Sequence, residues 1–90
     1  MNWITVFPST FKNGYRKHKL HLQNKADAII REMSKSNNPK GFGRKKRGTI
    51  KNCYGIDLSS DCRILFAILD FTKEIHFLRM CKHKDVYANL

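Results

Sequence analysis

The hydrophobic period of this chain changes once, and that change limits the folds open to it. Leu22, Ala26, Ile29, Ile30 and Met33 recur at helical spacing and mark one amphipathic helix. Beyond a basic stretch the spacing becomes two: Tyr54, Ile56 and Leu58 alternate with Gly55 and Asp57. Ser59-Ser60-Asp61 then turns the chain, Cys62 to Leu69 is apolar on both faces apart from Arg63, Asp70 to Lys73 turns it again, and Ile75 to Cys81 closes the series. Three strands joined by short turns predict an antiparallel meander.

The front of the chain supplies the other layer. Trp3 to Phe7 is aromatic and β-branched and stops at Pro8, which predicts an opening strand. Ser9 or Thr10 can cap a first helix that carries Phe11, Tyr15 and Leu22 on one face, although Gly14 weakens it by about 1 kcal/mol relative to Ala. Asn24 followed by Asp27 resembles a capping arrangement, so a second helix is expected to begin there and to stop at Ser36-Asn37-Asn38-Pro39. The predicted order is β-α-α-β-β-β. This is an α+β domain, two N-terminal helices packed on a mainly antiparallel sheet, and its 90 residues make one domain over 1–90. A buried cavity for a small-molecule substrate is not expected in so short a chain.

Charge narrows the partner. Lys and Arg number 18 against 7 Asp and Glu, and residues 1–51 hold thirteen of those cations against only Asp27 and Glu32. A polyanion is the expected partner. Residues 39–49 read as a Gly-rich basic loop bearing Phe42, Arg44, Lys45, Lys46 and Arg47, suited to backbone phosphates. Cys53, Cys62 and Cys81 are odd in number, widely spaced and without a CxxC pair, so neither a disulfide framework nor a zinc site is expected, and reducing cytoplasm fits best. The longest apolar run, Ile64 to Leu69, falls far short of the roughly 20 residues that span a bilayer, and Trp3 to Phe7 is too short for a signal peptide. No membrane partner is expected.

Two places carry chemistry. Arg63 interrupts an apolar central strand, where a charge costs several kcal/mol unless paired or in reach of water or ligand. Its partner can be Asp57, Asp61 or Asp85, or a phosphate. A tight turn at Asp70 to Lys73 sets it opposite the region between Arg79 and Cys81, near His83. The last segment, Arg79 to Tyr87, crowds Arg79, Lys82, His83, Lys84, Asp85 and Tyr87 together. Cations neutralise phosphate, an imidazole with an ordinary pKa near 6.5 moves protons, and an aromatic ring stacks on a base. His18, His21 and His76 converge on no other titratable group in the sequence.

The succession of these features, above all Asp61-Cys62-Arg63-Ile64-Leu65-Phe66 and His83-x-Asp85-Val86-Tyr87 after Tyr54-x-Ile56-x-Leu58, resembles the RelE/ParE superfamily of bacterial and archaeal type II toxins. The resemblance runs over nearly the whole chain in order and length, and its specific part is residues 54–87. It implies a RelE-like toxin domain: a ribosome-dependent mRNA endoribonuclease that makes the ribose 2′-oxygen attack the adjacent phosphate, needs no metal or other cofactor, and is held inactive by a cognate acidic antitoxin. On that resemblance Arg63 stabilises the transition state, His83 and Tyr87 match the terminal histidine and aromatic, and Lys46 belongs with them as a catalytic candidate. Arg44, Lys45, Arg47, Arg79, Lys82 and Lys84 are the RNA-binding candidates.

The group that takes the 2′-proton stays open. The YafQ-like branch has further histidines between the loop and the central strand, and Gly48 to Cys62 has none here; the RelE branch uses lysines and an arginine, which Lys45, Lys46, Lys82 and Arg79 can supply. A ParE-like gyrase inhibitor, without acid or base residues, and a non-catalytic basic protein that binds RNA or ribosomes are the alternatives.

Overall fold

The structure, a computed structural model, describes residues 2–45 and 53–82. Strand β1 (Ile4–Val6) leads into helices α1 (Ser9–Lys17) and α2 (Leu20–Lys35), and after a short 3-10 turn at Pro39–Phe42 come strands β2 (Arg44–Lys45), β3 (Cys53–Asp57), β4 (Cys62–Leu69) and β5 (Glu74–Lys82). They form one sheet in the order β1-β5-β4-β3-β2. β1 runs parallel to β5 and every other pair is antiparallel, so the α+β class and the β-α-α-β-β-β order hold, with the two-residue β2 added ahead of the meander.

β4 is central, flanked by β3 and β5, and is buried over most of its length. On one face Ile64, Phe66 and Ile68 join Ile75, Phe77 and Met80 of β5 and Ile56 of β3, against Phe11 of α1 and Ala26 and Met33 of α2. On the other, Leu65 gathers with Cys53 and Cys81 in a smaller cluster. The helices' buried residues all belong to the first face.

Three local expectations are corrected. The break between helices falls at His18 and Lys19 rather than at Asn24. Gln23 explains it: its amide nitrogen donates to the carbonyls of Tyr15 and His18 at 2.9 and 3.0 Å, satisfying the end of α1 from within α2. Asp27 is no cap, and accepts instead from the Tyr15 hydroxyl at 3.0 and 3.1 Å. At the front of α1 the capping position belongs to Pro8, and Thr10 donates its hydroxyl to Leu78 O of β5 at 2.8 Å. The basic segment, finally, is not a loop from its start: Phe42 packs on the core, Lys40 pairs with Asp70 at 2.6 Å, and Arg44 and Lys45 pair with Gly55 and Tyr54.

Gly14, a weak point by helix propensity, is where α1 meets the sheet. A Cβ there would lie 2.0 Å from Met80 O, so only glycine lets the helix lie against the β5 backbone. With Thr10 bonded to Leu78 O, α1 covers the length of β5 beyond the reach of three-residue β1.

Candidate functional site

A single bulge decides which face Arg79 takes. Ile75 and Phe77 point into the core, and strict alternation would send Arg79 and Cys81 after them. Leu65 pairs with Arg79 and Phe66 with Phe77, so Leu78 is the extra residue and the alternation flips. Met80 takes the core position opposite Ile64, and Arg79 and Cys81 come onto the face of Arg63.

The result is two rows across the outer face. Gly55, Leu65 and Arg79 are in register, and Arg44 is the backbone partner of Gly55. In the next row Asp57, Arg63 and Cys81 are direct partners. Arg63 therefore sits opposite Cys81, within the Arg79 to Cys81 region that the tight turn predicts, and diagonal to Arg79 at roughly 7–8 Å between backbones. Lys82, the last described residue of β5, pairs with Cys62.

Arg63 is 8% exposed, the one charged side chain in the core among the described residues. Its Nε donates to Asp57 Oδ1 at 2.6 Å, and Asp57 is more than half exposed. Of the three carboxylates considered from sequence, Asp57 is the one described in contact. The ion pair places a fixed guanidinium on an apolar floor of Leu65, Cys53 and Cys81, where low polarity strengthens its action on a nearby anion. A charge-assisted, geometrically fixed donor of this kind is suited to a phosphate oxygen.

The neighbouring cysteines are buried. Burial, with the Cys81 thiol adding to it, pushes Cys62 up to about 11, and burial raises Cys53 as well. His76 stands apart, 3.3 Å from Glu74 Oε1, and that bond, more than the one from Thr72, lowers the Glu74 carboxyl.

Lys46, Arg47, His83, Lys84 and Tyr87 lie outside the described residues, and Arg44 and Lys45 are placed by their backbone pairing alone. Arg63 and Arg79 are brought together; Lys82 follows at the strand end. His18 departs from expectation, because it lines a cleft of about 380 Å³ with Lys17, Arg79 and Lys82. Only tertiary packing of α1 on β5 joins them, and the one sequence signal for it was a glycine inside a helix. The larger groove, about 540 Å³ between α1 and α2, is floored by Phe7, Phe11 and Tyr15 and includes none of the candidate residues.

No protein-family model matches the sequence, and no curated protein matches it at a significant level. Solved structures do match in shape. A free-state mutant of the E. coli toxin RelE superposes with a TM-score of 0.78 at 22% identity, over 98% of this chain and 93% of that one. The RelE of the Methanococcus jannaschii RelB-RelE antitoxin-toxin complex gives 0.73 at 24% identity over 94% of this chain and 98% of its own. The YoeB/ParE toxin from Agrobacterium tumefaciens gives 0.75 at 13% identity, covering 89% and 98%. The chain has the fold of the RelE/ParE-type toxins.

Proposed function

We propose that this chain is the toxin of a type II toxin-antitoxin system and acts as a metal-independent endoribonuclease on mRNA in the ribosome. The observation that carries the reading is Arg63: a buried guanidinium held by Asp57 on an apolar sheet floor, diagonal to Arg79, on a RelE-type fold. A buried cation on the face away from the helices has no role in packing them, and the chemistry it fits is stabilisation of an anion.

The step is a transesterification. The ribose 2′-oxygen attacks the adjacent phosphorus while the 5′-oxygen leaves; the 2′-proton goes to a base and a proton is delivered to the leaving oxygen, giving a 2′,3′-cyclic phosphate and a 5′-hydroxyl. Arg63 neutralises the charge that builds on the non-bridging oxygens, and Asp57 fixes its direction. Arg79 and Lys82 hold flanking phosphates. His83 and Lys46 are the acid and base candidates, Tyr87 the stacking surface, and Arg44, Lys45, Arg47 and Lys84 further backbone contacts. An acidic antitoxin would complement the net charge of +11, as the RelB-RelE complex pairs an antitoxin with its toxin. The cytoplasm, where translating ribosomes are found, is the proposed location, and among the described residues no helix is long and apolar enough to cross a membrane.

The test is incubation of the purified chain with translating ribosomes, followed by mapping of mRNA 5′ ends. Cuts that are lost in both Arg63→Ala and His83→Ala support the proposal. Intact mRNA with gyrase-dependent DNA breaks would replace it with the ParE-like reading.

A further inference from the structure

We propose that the cleft between α1 and β5 is a second phosphate site, which binds the RNA strand at a nucleotide flanking the one held at Arg63. The inference rests on the ribonuclease reading and adds residues to it that the sequence did not associate with RNA. The cleft, about 380 Å³, is formed where the last turn of α1 brings Lys17 and His18 beside Arg79 and Lys82 of β5. Its walls cannot drift apart freely: Gly14 abuts Met80 O and the Thr10 hydroxyl is bonded to Leu78 O.

Charge defines the occupant. Among the described residues none that lines the cleft is acidic, and Lys17, Arg79 and Lys82 take part in no ion pair. Three permanent cations share one concave surface with no counter-charge among the described residues, an arrangement that focuses positive potential and is relieved by an anion. His18 Nδ1 lies 2.6 Å from Gly14 O, which makes that nitrogen the donor and fixes the ring at the cleft wall. Thr10 and Asn13 add neutral polar groups.

Position ties the cleft to the candidate cleavage site. Cys81 lines the cleft and is the direct strand partner of Arg63, so the near wall of the cleft lies about one strand spacing, ~4.8 Å, from the Arg63 backbone. A strand of RNA crossing the outer face at Arg63 meets the cleft as it passes over the β5 edge. Lys17 and His18 are then positioning residues for the substrate.

The experiment uses the full chain and a fluorescent 2′-O-methyl oligoribonucleotide, which offers no free 2′-oxygen and cannot be cleaved by this route. Affinity is followed by anisotropy over a range of salt for wild type, Lys17→Ala, Lys17→Glu, His18→Gln and Lys82→Ala, with exposed Lys35→Ala as the distant control. Each cleft lysine removed should weaken binding and lower the magnitude of the log–log salt slope by about 0.7, the value for one contact to a single strand. Lys17→Glu should weaken binding more than Lys17→Ala, and Lys35→Ala should leave the slope unchanged. Wild-type binding with cleft variants indistinguishable from Lys35→Ala overturns the cleft and leaves the ribonuclease reading standing. Absence of wild-type binding overturns the cleft as a phosphate site, and the ribonuclease reading is then decided by the ribosome cleavage assay alone. Unaltered RNA binding with loss of poly-glutamate binding in Lys17→Ala would assign the cleft to an acidic protein instead.

Discussion

Replacing Gly14 with alanine sets two physical effects of opposite sign against each other. In an isolated helix the change stabilises by about 1 kcal/mol. Here the new methyl would lie 2.0 Å from Met80 O, more than an ångström inside ordinary contact, and the atom it meets is backbone and cannot rotate away. The helix has to lift. Lifting breaks the Thr10 hydroxyl bond to Leu78 O, worth about 1 kcal/mol, and strains the contact of Phe11 with Phe77, whose rings are 6.0 Å apart. Overpacking of this kind costs about 1–3 kcal/mol, and since the lost hydrogen bond and the helix gain offset each other at about 1 kcal/mol apiece, the net expectation is a loss of about 1–3 kcal/mol. For a domain of this size each kcal/mol lowers the melting temperature by roughly 4–8 °C. Urea and thermal denaturation of the purified variant measure it directly. A variant as stable as wild type, or stabilised by the helix-propensity amount, would refute the close docking of α1 on β5.

Three further outcomes follow from the same geometry. Cys53, Cys62 and Cys81 should resist iodoacetamide at neutral pH in the native chain and all react on unfolding, because burial excludes the reagent and holds Cys62 near 11; rapid native labelling of Cys62, read by mass spectrometry, would contradict it. Tyr15 has its hydroxyl pKa raised above 10 first by the bond to Asp27 and then by burial, so the stabilisation is complete below pH 10 and lost as pH rises through the folded value. Asp27→Asn should bring its ionisation to lower pH in a phenolate absorbance titration, and no change would dismiss the pair. Arg63→Lys keeps a charge but not the fixed Nε bond to Asp57, and should lower cleavage roughly 10²- to 10³-fold while the fold persists by circular dichroism; full activity would reduce Arg63 to a generic cation.

Much of the architecture was legible because it rests on periodicity. The helical spacing of Ala26 to Met33 and the alternation through β3 to β5 come from which faces must be dry, and both survive in the structure. Arg63 stood out for the same reason: a cation in an apolar strand demands a partner, and Asp57 is two-sided evidence of that demand, next to it in register and bonded to it. The helix boundary was not legible, because Gln23 caps α1 from across a corner that only the fold creates. Nor was the bulge at Leu78, which sets Arg79 on the face of Arg63 through a single unpaired residue that leaves the composition of β5 unchanged. The α1–β5 cleft combines residues more than sixty positions apart, and no local pattern reports such a meeting.

The most direct test of a 2′-oxygen mechanism assisted by Arg63 is cleavage of a ribosome-bound mRNA that carries one 2′-deoxynucleotide at the mapped cut site. With the intact ribose, the upstream product should end in a 2′,3′-cyclic phosphate, and the cut should be lost with the single deoxy substitution although ribosome binding is unchanged. Continued cutting at the deoxy position would contradict the mechanism, because the nucleophile would then have to come from water or the protein.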